Sequence, residues 1–127
     1  RALQEPLAGV ALGGALGAVL RYAVSSALRG VIGAFPLGTL VVNVVGSMLI
    51  GLVIAWASAR GGEAVALRNF LQVGLLGGLT TFSSFSAETL LLMQGGRTGL
   101  ALANVVLNLV LALAACMAGL SLGRAIW

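Results

Sequence analysis

The most informative segment of the chain is Gly74-Leu-Leu-Gly77-Gly78-Leu-Thr80-Thr81-Phe82-Ser83-Ser84-Phe85-Ser86-Ala87-Glu88. Five hydroxyl side chains and a glycine pair lie here in the middle of a long apolar segment. Backbone groups left unpaired in hydrocarbon cost several kcal/mol each, so a membrane helix breaks only where the break faces protein or water. We expect the helix to break at the glycine pair and the threonines that follow. A continuous helix whose hydroxyls bond carbonyls four residues back is the alternative.

The composition of the whole chain is that of a membrane protein. Of its 127 residues, 60% are hydrophobic and 8% are charged, and the mean hydropathy is +1.12. Soluble domains have about 45–50% apolar and about 25% charged residues. Disordered chains combine low hydrophobicity with high charge. Both classes are excluded.

The residue types that are missing exclude several kinds of chemistry. The chain contains no Lys, His or Asp, and Cys116 is its only cysteine. A disulfide framework and a Ser-His-Asp or Cys-His catalytic centre therefore cannot form, and a metal site built from side chains lacks its usual ligands. The seven arginines are dispersed, so no basic patch for nucleic acid is present. We expect neither an enzyme nor a nucleic-acid-binding protein.

Four predominantly apolar runs are long enough to cross a bilayer, which takes roughly 20 helical residues for about 30 Å of hydrocarbon. They cover residues 7–28, 37–58, 68–93 and 99–122. We therefore predict an all-α integral membrane protein, with one four-helix transmembrane domain over residues 1–127 and a third helix broken near its middle. Gly9, Gly13 and Gly17 recur every four residues, a spacing that lets membrane helices pack closely.

The arginines are nearly balanced between the two sides of such a bundle. The side that holds the second connection and both termini has four, namely Arg1, Arg60, Arg68 and Arg124, and the other side has three, namely Arg21, Arg29 and Arg97. Excess Lys and Arg in cytoplasmic loops orients membrane proteins. This near balance predicts insertion in both orientations and an antiparallel homodimer about a two-fold axis in the membrane plane. One fixed orientation, set by other features, is the alternative.

The segment after the predicted break combines aromatic rings with hydroxyls. Phe82 and Phe85 are three residues apart and share one helical face, while Ser83 and Ser86 share a neighbouring face. A phenyl ring has an electropositive edge, so rings and hydroxyls together suit a small anion. A fixed lysine would hold the anion too firmly for conduction. Lipid-facing or core phenylalanines are the plain alternative.

Polar side chains in the other runs have two interpretations each. Asn43 in the second run, and Asn104 and Asn108 on one face of the fourth, either donate hydrogen bonds to a ligand or join helices. Glu88 is the only acid well inside a run; it is either a carrier's carboxylate or an interfacial residue. Arg21 either extends to the membrane surface or attracts anions to a vestibule.

Three motifs carry a family resemblance over essentially the full length. The runs Gly38-Thr-Leu-Val-Val-Asn43-Val-Val-Gly46-Ser47, Gly77-Gly-Leu-Thr-Thr-Phe82-Ser-Ser-Phe85-Ser-Ala-Glu88 and Gly17-Ala-Val-Leu-Arg21-Tyr22 resemble the Fluc (CrcB) family of fluoride ion channels. The resemblance implies an antiparallel dual-topology homodimer with two fluoride pores in the cytoplasmic (inner) membrane of a bacterium. Such channels let fluoride leave the cell passively and so relieve its toxicity.

The resemblance also implies roles for individual residues. Phenylalanines and an asparagine that line the pore match Phe82, Phe85 and Asn43, and the family's polar path for the ion matches Thr39, Ser83, Ser86 and Glu88. Backbone carbonyls that hold a structural Na⁺ on the two-fold axis match Gly77 and Thr80. Some members have Tyr and Ser on the fourth helix where this chain has Asn104 and Asn108. An asparagine amide can donate a hydrogen bond in place of those hydroxyls.

Two other functions fit four short helices. A small dual-topology, proton-coupled multidrug exporter needs a carboxylate near the centre of its chamber, usually in the first helix. The first run has none, and Glu88 is peripheral. A structural subunit of a larger complex would leave the hydroxyl-rich stretch without a purpose. The sequence therefore favours a passive fluoride channel.

Overall fold

Helices make up almost all of the chain. The computed structural model describes residues 4–62 and 64–127, with residues 4 and 5 as backbone alone. We number the helices α1 to α5, and their bounds are Gln4–Ala27 for α1, Leu37–Arg60 for α2, residues 65–79 for α3, Phe82–Gln94 for α4 and Thr98–Ile126 for α5. The described residues contain no strand, which confirms the predicted all-helical class.

Three of the helices are long and apolar enough to cross a membrane, namely α1 from Pro6, α2 and α5. The predicted run 68–93 is divided between α3 and α4, and neither part alone has the length of a span. Large apolar side chains cover the outside; Leu12, Val19, Leu113 and Met117 are each more than 60% exposed. Such a surface suits contact with lipid or with another protein chain.

Helix α2 lies at the centre of the fold and contacts each of the other helices. Its most extensive contact is with α5. A methyl group on Gly51 would overlap the carbonyl oxygen of Cys116, and one on Gly119 would overlap that of Met48. The two backbones therefore touch directly, which is how helices associate in lipid.

Helix α3 changes its hydrogen-bond pattern along its length. It begins with an α-helical turn at Val65–Arg68, continues as a π-helix at Asn69–Leu76 and ends with an α-helical turn at Gly77–Leu79. π-Helical segments, with bonds between residues five apart, are rare and are frequent at functional sites. Nothing in the apolar pattern of the sequence predicts this change.

Glycines join α1 to α3 over a surface that we call the glycine contact, defined by Gly13 and Gly17 of α1 with Gly74 and Gly78 of α3. A methyl group on Gly13 would lie 2.5 Å from the carbonyl oxygen of Phe70, and one on Gly78 would lie 2.7 Å from that of Gly14. The predicted close packing of this stripe is therefore a backbone-to-backbone contact within one chain.

Candidate functional site

The site begins at two extended residues between α3 and α4. Thr80 has φ −82° and ψ 156°, and Thr81 has φ −152° and ψ 124°, so neither can continue a helix. The Thr81 side chain caps α4 by accepting a hydrogen bond from the Ser84 amide at 3.1 Å. The Thr80 hydroxyl donates to the carbonyl of Leu76 at 3.0 Å.

Asn43 of α2 pairs with the backbone of Thr81 in both directions. The Thr81 N–H donates to Asn43 Oδ1 at 2.8 Å, and Asn43 Nδ2 donates to the Thr81 carbonyl at 3.1 Å. A side-chain amide carries the same donor and acceptor as a peptide group. Asn43 therefore replaces the backbone partners that Thr81 would have in a regular structure, which removes the cost of breaking a helix in an apolar environment.

The break also changes what the last carbonyls of α3 bond to. In a continuous helix, the carbonyls of Gly77 and Thr80 would accept from the amides of Thr81 and Ser84, four residues on. Those amides instead donate to Asn43 and to the Thr81 hydroxyl. The carbonyls of Gly77 and Thr80 are thereby released from their helical partners.

Arg21 binds the same end of α3. Its Nε donates to the carbonyl of Gly78 at 3.1 Å, and the side chain is half-buried. The C-terminal end of a helix carries partial negative charge, which a guanidinium complements. Arg21 lines neither of the two cavities described below.

A row of polar side chains extends from Asn43 into α5 and back to α4; we call Asn43, Asn108, Asn104 and Thr89 the asparagine ladder. Asn43 Nδ2 donates to Asn108 Oδ1 at 2.9 Å, and Asn108 Nδ2 donates to Oδ1 and to the carbonyl of Asn104, both at 2.9 Å. Asn104 Nδ2 donates to Thr89 Oγ1 at 2.9 Å, and the Thr89 hydroxyl donates to the carbonyl of Phe85 at 2.7 Å. The ladder joins α2, α5 and α4.

One cavity lies against the break. It has a volume of about 270 Å³, and its lining includes Asn43, Thr81, Phe82, Phe85 and Asn108. The two rings are tilted by 56°, with centroids 5.3 Å apart. The Phe85 side chain is buried, whereas Phe82 is 73% exposed on the outside of the chain. The lining combines an apolar majority of the surface with a few polar groups, the usual character of a ligand site.

A second, larger cavity of about 440 Å³ lies nearer the end of the bundle. Thr39 and Glu88 line it, together with Arg29 and Arg97 from the connections. The buried Thr39 hydroxyl donates to Glu88 Oε2 at 3.1 Å. The other oxygen, Oε1, is shielded and has no hydrogen-bond partner within the described part of the chain. Hydroxyl, carboxylate and arginine groups thus meet at one opening.

The structure brings some of the predicted site residues together and separates others. Ser83 and Ser86 line neither cavity; the Ser83 hydroxyl is 3.3 Å from that of Thr81, and the Ser86 hydroxyl donates to the carbonyl of Phe82 at 2.9 Å. Asn104 lines neither cavity and is completely buried.

Three residues were not singled out as site residues from the sequence. Thr81 organises the break, Thr89 ends the asparagine ladder, and Arg97 lines the larger cavity. The sequence does contain a signal for Thr89: it lies four residues after Phe85 and therefore on the same helical face. No cluster of three or more His, Cys, Asp or Glu residues that could hold a metal is found in the described residues.

The chain is similar in sequence to known proteins over most of its length. Residues 8–120 match the family described as "CrcB-like protein, Camphor Resistance (CrcB)". Three relatives are each named "Fluoride-specific ion channel FluC". The protein of Thermus thermophilus is 51% identical over 92% of this chain and 94% of its own length. That of Magnetococcus marinus is 48% identical over 94% and 98%, and that of Agrobacterium fabrum 46% over 93% and 95%.

The relatives are similar over nearly the whole length of both proteins, so the match includes the helices, the break and both cavities. Together with three helices able to cross a membrane, it identifies a multi-pass membrane protein. The resemblance noted in the sequence is confirmed, and the chain belongs to the CrcB-like family.

Proposed function

We propose that this chain forms a fluoride-selective channel that lets F⁻ leave the cell passively across the bacterial cytoplasmic (inner) membrane and so relieves fluoride toxicity. It catalyses no reaction. In the proposed assembly, residues 1–127 form one domain of four spans, of which α3 and α4 together are the third, broken span. Two chains in opposite orientations pair around a two-fold axis, consistent with the nearly balanced arginines.

The observation that carries the proposal is a two-level path between facing helices. At one level, Thr39 of α2 faces Glu88 of α4 in the larger cavity. One turn towards the C-terminus of α2 and one turn towards the N-terminus of α4, Asn43 and Phe85 line the smaller cavity. A turn of helix advances about 5.4 Å, so the two levels follow one another along the helix axes. Relatives named as fluoride channels support this interpretation.

The chemistry of the path suits a small, strongly hydrated anion. At the smaller cavity, the positive edges of the phenyl rings replace water, and none of the arginines that the structure describes lines it and could trap the ion there. We assign to the path Thr39, Asn43, Phe82, Ser83, Phe85, Ser86, Glu88, Asn104 and Asn108, either as groups that contact the ion or as groups that hold those that do. The second chain covers the exposed Phe82 ring and completes the wall of the path. A vestibule role for Arg21 also requires the second chain, because Arg21 lines neither cavity of the single chain.

A structural Na⁺ at the dimer axis fits the groups present. The released carbonyls of Gly77 and Thr80 are hard oxygen donors at the negative end of a helix, which is the environment that a small cation prefers. Gly77 is exposed on the single chain, so a second chain can approach it. Na⁺ held there would bind the two chains together, and the carbonyls of both would hold it.

The test is fluoride efflux from liposomes that contain the purified protein, with K⁺ and valinomycin to clamp the voltage. We expect fast release of fluoride and none of chloride. Phe82→Ile and Phe85→Ile should each slow the release by at least about tenfold, because an aliphatic side chain has no positive edge. Tyr22→Ile, which removes an aromatic ring from the exposed face of α1, is the matched control.

The absence of fluoride release from well-folded dimers would contradict the proposal. The multidrug exporter has no support among the relatives. Glu88→Gln separates the two functions further, because loss of a carboxylate abolishes proton-coupled export but leaves a pore that still conducts, at a reduced rate.

A further inference from the structure

The direction of every hydrogen bond in the asparagine ladder follows from one backbone amide. The Thr81 N–H can only donate, so the atom of Asn43 that faces it must be the oxygen. The Asn43 nitrogen then faces Asn108, which must present its own oxygen. The same reasoning turns the Asn104 nitrogen towards Thr89. The ladder is therefore polarised from one end to the other.

The ladder also uses the hydrogens that would otherwise be offered to an ion. The two amide hydrogens of Asn43 have two acceptors in place, the Thr81 carbonyl and Asn108 Oδ1. The Thr89 hydroxyl hydrogen is donated to the Phe85 carbonyl. Each of these groups already has its partner inside the chain.

Burial separates the far end of the ladder from any ion. Asn104 is 0% exposed and Thr89 is 8% exposed. Neither lines the cavity against the break or the larger cavity. Buried amides and hydroxyls are expensive unless they are paired, so two buried side chains whose nitrogen and oxygen atoms each have a partner have a structural task.

We propose that Asn108, Asn104 and Thr89 are positioning residues: they hold the Asn43 amide in the one orientation that pairs with both backbone groups of Thr81. A rotation of this amide by 180° would place its NH₂ group against the Thr81 N–H, and both bonds at the break would be lost. The bond to Asn108 Oδ1 resists this rotation because a flipped Asn43 would present oxygen to oxygen. The break is thus locked by a hydroxyl on the next helix, three side chains away.

The rate of hydrogen exchange at the Thr81 amide reports directly on its hydrogen bond to Asn43. The chain has only five threonines, at positions 39, 80, 81, 89 and 98, so selective ¹⁵N-threonine labelling gives five backbone signals. Thr89→Val removes the hydroxyl while keeping the shape, and it leaves Asn104 Nδ2 without its acceptor. We expect exchange at Thr81 to accelerate by about tenfold, the ratio for one buried hydrogen bond, and exchange at Thr98 to stay unchanged.

A second variant and a rescue separate positioning from packing. Asn108→Leu, which removes the direct anchor, should accelerate exchange at Thr81 at least as much as Thr89→Val. Thr89→Ser restores the hydroxyl but loses the methyl group, so it should restore slow exchange; a role in packing alone would make the serine variant the worse of the two. Asn69→Ala, outside the ladder, is the control and should leave Thr81 unchanged.

Fluoride efflux is the second measurement and rests on the proposed function. Thr89→Val should slow efflux by about fivefold to tenfold, and the loss should not add to that of Asn43→Ala, because both changes release the same break. Unchanged exchange at Thr81 in both Thr89→Val and Asn108→Leu would overturn the proposal. Faster exchange in a protein that moves no fluoride would support the ladder while contradicting the channel.

Discussion

The glycine contact and the asparagine ladder hold the two sides of the break by opposite means. In the glycine contact, α1 and α3 meet through backbone atoms, and no side chain fits between Gly17 and Leu75. In the ladder, α2, α4 and α5 are joined by a row of directed hydrogen bonds. The glycine contact depends on the absence of side chains at its glycines, and the ladder depends on the orientation of its amide and hydroxyl groups. The glycine contact determines how closely α1 and α3 approach, and the ladder determines the orientation of the backbone groups at the break.

The difference predicts how each region fails. Overlap between backbones cannot be relieved by a change of rotamer, so the glycine contact should tolerate no added atom. An unpaired amide can find a weaker partner or a water molecule, so the ladder should fail by degrees. The four changes below test this distinction in order of decreasing effect.

Gly17→Ala should have the largest effect. The added methyl group would overlap the Leu75 carbonyl and lie 2.7 Å from the Leu79 amide, and neither backbone can move alone. We expect a loss of at least about 3 kcal/mol in the free energy of unfolding, measured by denaturation in detergent. Gly14→Ala, whose methyl group would lie 4.0 Å from its nearest neighbour, is the control on the same helix. Equal stability of the two variants would contradict a rigid contact.

Asn43→Leu should follow. It leaves the N–H and the carbonyl of Thr81 without their partners while preserving the volume of the side chain. Each unpaired backbone group costs roughly 1–3 kcal/mol, and partial compensation by water should limit the loss of unfolding free energy to about 2–3 kcal/mol. The same denaturation measurement applies. A loss no larger than that of Asn69→Leu would show that the break holds without Asn43.

Arg21→Leu tests a side chain that extends from α1 to the end of α3, next to the break. It removes the bond to the Gly78 carbonyl, and a hydrogen bond to a charged group contributes about 1.5–3 kcal/mol. Because Arg21 is only half-buried, we expect a loss near the lower end, about 1.5 kcal/mol of unfolding free energy. Arg21→Lys keeps the charge near the end of α3 and should recover part of it. No recovery would mean that the fork of the guanidinium, not its charge, is what matters.

Thr80→Val should have the smallest effect. Valine keeps the methyl group that packs against Gly46 and loses only the hydroxyl bond to the Leu76 carbonyl, which already accepts from the Thr80 amide. We expect a change of about 0.5 kcal/mol in unfolding free energy. A loss of unfolding free energy comparable to that of Asn43→Leu would show that the Thr80 hydroxyl stabilises the break as much as Asn43 does.

Much of the fold was predictable from hydropathy and from the segment 74–88. The all-helical class is confirmed, and the helices end within a few residues of the predicted runs. The interruption between Leu79 and Phe82 lies just after the predicted glycine pair, because the threonines supply an N-cap that the glycines cannot. The π-helix of α3 was not predictable from the apolar pattern; it lies where Gly13 of α1 is packed against the backbone of Phe70 and Leu75, a contact between residues far apart in the chain.

The site was predictable in its residue types but not in its connections. The spacing of Asn104 and Asn108 placed them on one face, and the structure pairs them there. Their partners on α2 and α4 lie 65 and 15 residues away along the chain, a relation that no local pattern contains. Arg21 likewise reaches a carbonyl 57 residues away. The roles assigned to the nine path residues stay predictions until the efflux experiments are done.

Asn43 precedes Thr81 by 38 residues, and this order has a consequence for how the protein is made. A ribosome delivers the chain from the N-terminus, so α2 enters the bilayer before the interrupted segment does. The group that makes the interruption tolerable in lipid is therefore already in place when the interruption arrives. Asn104 and Asn108 of α5 are synthesised last, and they then hydrogen-bond to each other and to the Asn43 amide. During synthesis, Asn43 is therefore available to bind the Thr81 backbone as soon as that later segment of the chain enters the bilayer.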